Sequence, residues 1–418
     1  MKKSFYNIIY NSEQGYLLFN SLTNSLVILD EQGMDKYNTD SLADEEIKRL
    51  YQSGFFVDDD IDEVKFVEYH YLKNLFNNQA PSFRVYTTLA CNAQCNYCYE
   101  KGTPISNMSK EVADSLVEFV AEQTKYCKQY SIRWFGGEPL LNWKIIDYIS
   151  DELKKKCNAD LVGYITTNGS LFNDELIEKA KGNWGIKNVQ ISLDGYGELH
   201  NKIKAYKDRD NGFSDTITNI VKLLDKGISV DIRLNVTKSN AGNMLELIDY
   251  LALTIQNKKL SNVYAYPVFD SDVDKVCCSE SEDVIKENEL HTYFYPVVQK
   301  IESVGWKKSN TIRQRRVSCW AIKTGNYVIS PNGDIYKCSF EVKDPSNSIG
   351  NVKTGIKRNA MFLSWGLPRY DEKCYQCKFL PMCQGGCKYQ VIHNSVTDCR
   401  WTDEKLRQSL LAQISKRK

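Results

Sequence analysis

Residues 89–100 read Leu89-Ala90-Cys91-Asn92-Ala93-Gln94-Cys95-Asn96-Tyr97-Cys98-Tyr99-Glu100. Three cysteines at Cys-x3-Cys-x2-Cys spacing follow directly on a strand-like run, Phe83–Leu89. Thiolates at such spacings hold iron–sulfur clusters, and three of them leave one iron of a four-iron cluster open to an exchangeable ligand. A loop that leaves the end of a strand stands at the C-terminal mouth of the sheet, where barrels place their chemistry.

Outward from this loop, strand and helix patterns alternate from about residue 84 to 270. Strand-like runs occur at Phe83–Leu89, Ser131–Phe135, Leu161–Thr166, Asn188–Leu193, Ser229–Val236 and Val263–Phe269. Amphipathic segments separate them, among them Ala113–Tyr126, Trp143–Lys155 and Phe213–Lys226. Six βα units predict an α/β class with a parallel sheet and outer helices, a partial (βα)6 TIM-like barrel. Gly136-Gly137-Glu138-Pro139 ends the second strand: its glycines permit close backbone approach, and Glu138 offers a carboxylate to an ammonium group. Tyr97 and Tyr99 flank Cys98, and Tyr99 is placed to cover a planar ring.

A chain of 418 residues is expected to form two or three domains. The reading places a small α+β unit at 1–80, the barrel at 81–310 and a cysteine-rich part with a last helix at 311–418. The first unit has strand-like runs at Tyr6–Tyr10, Tyr16–Phe19 and Ser25–Leu29, polar helical patterns at about 43–52 and 62–76, and a short strand at Gly54–Val57. Asp58 to Asp60 are expected to cap the second helix. Net charge is +1, from 54 basic and 53 acidic residues, so no field favours nucleic acid or a membrane surface. Polar residues interrupt the N-terminal stretch, so no signal-peptide core is expected, and no apolar run reaches the length of a membrane span. A cytoplasmic location follows as an expectation. There thiols stay reduced, and fourteen cysteines read as metal ligands more readily than as disulfides. Cys127, Cys157, Cys277 and Cys278 fit structural roles.

The C-terminal part carries seven ordered cysteines: Cys319, Cys338, Cys374, Cys377, Cys383, Cys387 and Cys399. A hairpin signal, Pro331-Asn332-Gly333, precedes Cys338. Zinc is the general rival for paired cysteines, but a zinc ribbon would have two CxxC pairs and only Cys374/Cys377 is present.

The cysteine loop together with Gly136–Pro139 resembles the radical SAM superfamily. The resemblance implies a [4Fe–4S] cluster held by Cys91, Cys95 and Cys98, with S-adenosylmethionine (SAM) on its open iron. Reduction then yields a 5′-deoxyadenosyl radical that takes hydrogen from an unactivated C–H. It marks Tyr97, Tyr99, Gly136, Gly137, Glu138, Pro139, Asn168, Ser192, Asp194, Lys204 and Asn235 as cofactor-binding positions. His200–Lys204 resembles the family's HDxxR segment with two departures, Asn201 for Asp and Lys204 for the Arg that contacts the SAM carboxylate. Lysine keeps the charge and loses the bidentate fork.

The seven-cysteine part resembles the SPASM extension, which implies two auxiliary [4Fe–4S] clusters and three in all. Cys374, Cys377, Cys383 and Cys399 would close the outer cluster. Cys319, Cys338 and Cys387 would hold the inner one, leaving a position for a substrate thiolate, for Cys277 or Cys278, or for an oxygen ligand. Gly325 stands where many sulfatase maturases have an eighth cysteine, and Ser339 where they have a catalytic Asp. The first unit resembles the PqqD-like element that captures leader peptides by strand addition. Asp270, near Tyr266, Asp272 and Asp274, is the candidate base. The function expected is an intramolecular cross-link, thioether or C–C, in a ribosomally made precursor peptide with a leader, using flavodoxin or ferredoxin as electron donor. The alternatives are oxidation of Ser or Cys to formylglycine, and a metal-stabilised peptide-binding scaffold without catalysis.

Overall fold

The structure, a computed structural model, describes residues 1–268, 283–306, 319–368, 370–395, 397, 399 and 401–414. Two compact units divide the chain: Met1–Asn77 with Asn310–Thr324 and Leu363–Lys418, and Asn78–Ser309 with Gly325–Phe362.

In the first unit β1 (Lys2–Lys3) pairs antiparallel with β5 (Phe56–Val57). A three-stranded antiparallel meander holds β2 (Asn7–Ser12), β3 (Gly15–Asn20) and β4 (Ser25–Leu29). Gly15 makes the first hairpin possible: its φ is +115° and a Cβ there would stand 2.5 Å from the Leu29 carbonyl oxygen. The helices Asp44–Gln52 and Glu63–Leu75 lie where the polar helical patterns do, and Glu31–Asn38 is an additional one. The cap of Glu63–Leu75 is Asp62, which accepts from the Val64 and Lys65 amides, rather than the acids at 58–60. Those acids precede the helix by too many residues to reach its free amides.

Ile8, Leu17 and Phe19 of the meander share a core with Met382, Leu406, Leu410 and Ile414. Tyr6 and Val67 share another with Cys374 and Leu380. The unit therefore draws its apolar interior from both ends of the chain. A third core, Leu18, Met34, Tyr37, Leu50, Phe55 and Phe56, comes from the N-terminal part alone.

The second unit is built on one ten-stranded sheet. Its strands are β6 (Ser82–Thr88), β7 (Gln129–Gly136), β8 (Asp160–Thr167), β9 (Ile186–Leu193), β10 (Ser229–Val236), β11 (Ser261–Pro267), β12 (Asn326–Ile329), β13 (Asp334–Tyr336), β14 (Gly350–Asn351) and β15 (Gly355–Ile356). The order is β11-β10-β9-β8-β7-β6-β12-β13-β14-β15. From β11 to β12 every neighbouring pair is parallel, and beyond β12 the pairs are antiparallel. The six expected strands are all present. The hairpin after Pro331 exists too, but it extends this sheet: Asn326 to Ile329 lie in parallel register with Ser82 to Val85. That pairing covers the edge of β6, whose amides and carbonyls would otherwise stay open.

Alternation along the strands sorts the faces. Phe83, Val85, Ile132, Trp134, Ile165, Val189, Ile191, Val230, Ile232 and Leu234 are buried in one apolar cluster with the helices Lys110–Thr124, Trp143–Lys156, Gly212–Asp225 and Ala241–Thr254. The intervening residues are polar, among them Arg84, Arg133, Ser192, Asp231 and Arg233. A purely structural parallel sheet reads apolar on both faces. This one keeps a polar inner face.

Candidate active site

The cysteine loop leaves β6 at Thr88 and is clamped by backbone bonds from segments far along the chain. The Gln94 amide donates to the Lys204 carbonyl (2.8 Å), and the Lys207 amide to the Asn92 carbonyl (2.8 Å). On its other side the Gly137 amide donates to Thr88 O (3.1 Å) and the Glu138 amide to Ala90 O (2.8 Å). The approach is so close that a Cβ on Gly136 would lie 2.1 Å from Thr88 O, and one on Gly137 2.3 Å from Ala90 O. The glycines of the Gly-Gly-Glu-Pro turn thus serve to press it onto the cysteine loop.

Glu138 is fully buried. Its Oε1 accepts from the Thr167 hydroxyl (2.7 Å) and the Leu140 amide (3.1 Å), and its Oε2 from the Asn168 amide (2.8 Å). Burial raises its pKa against the pull of these donors. Asn168 Nδ2 donates to Asn92 Oδ1 (2.7 Å), joining the end of β8 to the cysteine loop.

A second network spans the ends of β9 and β10. Tyr97 donates its hydroxyl to both carboxylate oxygens of Asp194 (2.7 Å each). Lys204 Nζ pairs with Asp194 Oδ2 (3.0 Å) and donates to Ser192 Oγ (2.8 Å) and Tyr97 Oη (3.2 Å). Asn235 Nδ2 donates to Asp194 Oδ1 (2.9 Å) and Tyr97 Oη (3.1 Å). Asp194 is 0% exposed and Lys204 3%. Burial works against both charges, but each partner overrides it: Lys204 holds Asp194 below the usual carboxylate range, and Asp194 holds Lys204 well above its ordinary value. The network brings together Tyr97, Ser192, Asp194, Lys204 and Asn235. It also occupies all three Lys204 donors with partners of the chain itself. Asn235 Oδ1 and the Ser192 hydroxyl proton remain for a ligand.

Sequence reasoning passed over several supports of this site. His200 is buried, accepts at Nδ1 from the Asp194 amide (3.2 Å) and meets Tyr206 Oη through Nε2 (3.2 Å). Burial pushes its pKa down to about 3, so the ring is neutral. Glu100 closes the cysteine loop; burial raises its pKa to about 7, and its Oε1 is buried without a hydrogen-bond partner. His200 heads the HDxxR-like segment but was given no role of its own, and Glu100 belongs to no local pattern that marks it. Tyr99 meets Tyr86 Oη (3.0 Å) and packs edge-on to Phe340 at 5.2 Å.

The donor set fits an iron cluster chemically. Burial raises the thiol of Cys91 to about 12, helped by Glu138, that of Cys98 to about 11, helped by Glu100, and that of Cys95 as well. Three crowded thiols that cannot ionise alone become good ligands when a cation accompanies them. Among the described residues no three His, Cys, Asp or Glu side chains converge on a single-ion site. A cubane cluster binds each cysteine through a different iron and needs no such convergence.

In the first unit burial raises the Cys374 thiol against a backbone hydrogen bond at Asp371, and Cys377 and Cys399 nearby add to the rise. Cys383 ends the short helix Leu380–Cys383. Cys319 and Cys387 belong to this unit and Cys338 to the other. Asp270, Asp272, Asp274, Cys277 and Cys278 lie outside the described residues. No helix of the described residues is long and apolar enough to cross a membrane.

Residues 85–251 match the model of the radical SAM superfamily. The protein carries a radical SAM domain over those residues. It is similar to the radical SAM cyclopropyl synthase TigE of Paramaledivibacter caminithermalis, 25% identical over 416 aligned residues that cover 89% of this chain and 82% of that one. In fold it is similar to native anSMEcpe with bound AdoMet and Cp18Cys peptide (TM-score 0.60, 19% identity, 79% of this chain and 95% of that one). It is likewise similar to SuiB of Streptococcus suis bound to the precursor peptide SuiA (TM-score 0.54, 16% identity, 94% and 96%).

Proposed function

We propose that this protein is a radical SAM peptide maturase that installs an intramolecular cross-link in a precursor peptide. The observation that carries the reading is the cysteine loop pinned beneath the Gly136–Pro139 turn, at the mouth of a sheet whose inner face is polar. Its length-wide similarity to TigE supports it, as does the occurrence of peptide complexes among proteins of similar fold. Cys91, Cys95 and Cys98 would hold the SAM-binding cluster, and the seven later cysteines two auxiliary clusters, with flavodoxin or ferredoxin supplying electrons in the cytoplasm. When bound, the cluster and SAM supply one-electron chemistry that removes hydrogen from an unactivated C–H. Glu138 presents a carboxylate fixed by three donors, beside the loop where the ammonium of SAM would lie. Ser192 and Asn235 offer a hydroxyl donor and an amide acceptor to the nucleoside. Lys204 holds Asp194 and Tyr97 in place, a positioning role that replaces the carboxylate contact expected of it. The three-stranded edge of the first unit is the candidate leader-binding element.

Cyclopropyl formation, the reaction in the name of TigE, makes an intramolecular C–C bond, and this favours C–C over thioether linkage here. Peptides encoded beside the gene would be incubated with anaerobically reconstituted enzyme, SAM and reductant. The expected product has lost about two hydrogens and keeps its cysteines open to alkylation. Newly protected cysteines would show a thioether instead. A formylglycine product, or no 5′-deoxyadenosine at all, would overturn the cross-linking reading.

A further inference from the structure

The face of the sheet opposite the helices gathers mostly positive charge. Alternation sets Arg84, Arg133 and Arg233 opposite the helix-packed Val85, Trp134 and Leu234. Arg84 and Arg133 stand in register on β6 and β7, Arg133 beside Tyr164 of β8, and Arg233 beside Tyr264 of β11. Arg133 also feels Asp231 and Tyr264, on strands three and four places away in the sheet. All of these side chains stand on the face of the sheet opposite the helices.

Each guanidinium lies over a ring: Arg84 over Phe135 at 5.2 Å, Arg133 over Tyr164 at 4.9 Å and Arg233 over Tyr266 at 3.8 Å. Neutral acceptors take two of their side-chain hydrogen bonds. Arg84 Nη1 donates to Ser339 Oγ (2.6 Å) and Arg133 Nη1 to Thr166 Oγ1 (3.3 Å). Among the described residues no carboxylate pairs with Arg133 or Arg233, and Arg233 Nε is buried without a hydrogen-bond partner. Among the described residues Asp231 is the acid on this face beside Arg133 and Arg233, and it accepts from Asn262 Nδ2 (3.2 Å). Asp194 is already matched by Lys204, and Glu138 is enclosed by donors. Ring faces soften the cost of such cations without neutralising them. An anion is the missing partner, and the guanidinium fork suits a carboxylate.

We propose that this face binds acidic side chains, Asp or Glu, of the substrate peptide close to the residue that is modified. The proposal rests on the peptide reading above and names the chemistry of the substrate. Its position follows from register: Arg233 pairs with Ser192 and stands two residues before Asn235, and Arg133 stands three before Gly136. The arginines therefore form the layer beneath the proposed SAM contacts. Tyr164, Tyr264, Tyr266 and Phe135 flank them with apolar surface for the neighbouring residues of the peptide.

Short random peptides displayed on their own mRNA would be selected on reconstituted holoenzyme with SAM. Asp and Glu are expected to be enriched, with at least about tenfold weaker binding when the selected acids are changed to Asn and Gln. Arg133→Gln/Arg233→Gln should lose this preference and Arg133→Lys/Arg233→Lys should keep it. Iron content and melting of each variant report folding, and either single Gln variant answers the same question if the double one does not fold. Enriched peptides without an acidic bias, or a bias that survives in the Gln variants, would overturn the proposal and leave the peptide reading standing. No enriched peptide at all would defeat the peptide reading itself.

Discussion

Asp194 holds a negative charge where no solvent reaches, and Lys204, ten residues on, is the cation that makes this tolerable. Removing one partner of a buried pair leaves the other uncompensated, at about 3–5 kcal/mol. Lys204→Met should therefore lower the melting temperature of the barrel unit by on the order of 10 °C. Lys204→Met combined with Asp194→Asn should recover much of that loss, because no orphan charge remains. Equal melting of the single and double variants would show that the pair is not what holds the site. His200 makes a separate prediction. Its folded pKa, about 3, lies below the ordinary value of 6.5, so between those values the unfolded chain binds a proton that the folded one refuses. Stability should be full above pH 6.5 and fall as pH drops toward 3, by at most about 1.4 kcal/mol per unit. His200→Gln should flatten that limb in thermal melts taken across the range. Asp194 adds its loss only lower, as pH falls below its ordinary 3.8. The sequence marked Lys204 and Asp194 each as a cofactor-binding position but not their pairing, since a salt bridge is decided by where β9 ends relative to the following helix.

At the scale of elements, the turn after β7 and the loop after β6 are one device. Gly136 adopts φ +131° and Gly137 admits no Cβ, and both would collide with carbonyls of the cysteine loop rather than with flexible side chains. Gly137→Ala should push the loop outward. Its expected signature is SAM affinity reduced about tenfold or more, with a changed electron paramagnetic resonance spectrum of the SAM-bound cluster and an unchanged helix content. Wild-type affinity would mean the turn does not set the loop. These two motifs were legible because each is local, a few residues with fixed spacing. The strands were legible for the same reason, through their period of two. The pairing of β12 with β6 was not, because Asn326 and Ser82 are far apart in sequence and the hairpin pattern says nothing of the edge it will cover.

For the whole molecule, the proposed clusters would divide the iron between the cysteine constellations. Anaerobic reconstitution is expected to give about twelve irons per chain. Cys91→Ala/Cys95→Ala/Cys98→Ala should remove about four of them together with all SAM cleavage, and Cys374→Ala/Cys377→Ala about four others. Loss of zinc in place of iron in either variant would refute the cluster assignment. By itself the sequence determined the cysteine loop and its turn, the alternating βα units and the near-neutral charge, all properties of residues close together in the chain. Tertiary structure decided the rest. It joined the first strands to the helix Asp403–Ile414 in one core, gave Lys204 its carboxylate, and set arginines of three strands on one face of the sheet. Those outcomes depend on which distant surfaces exclude water together, and burial of that kind leaves no period or spacing in the chain to be read beforehand.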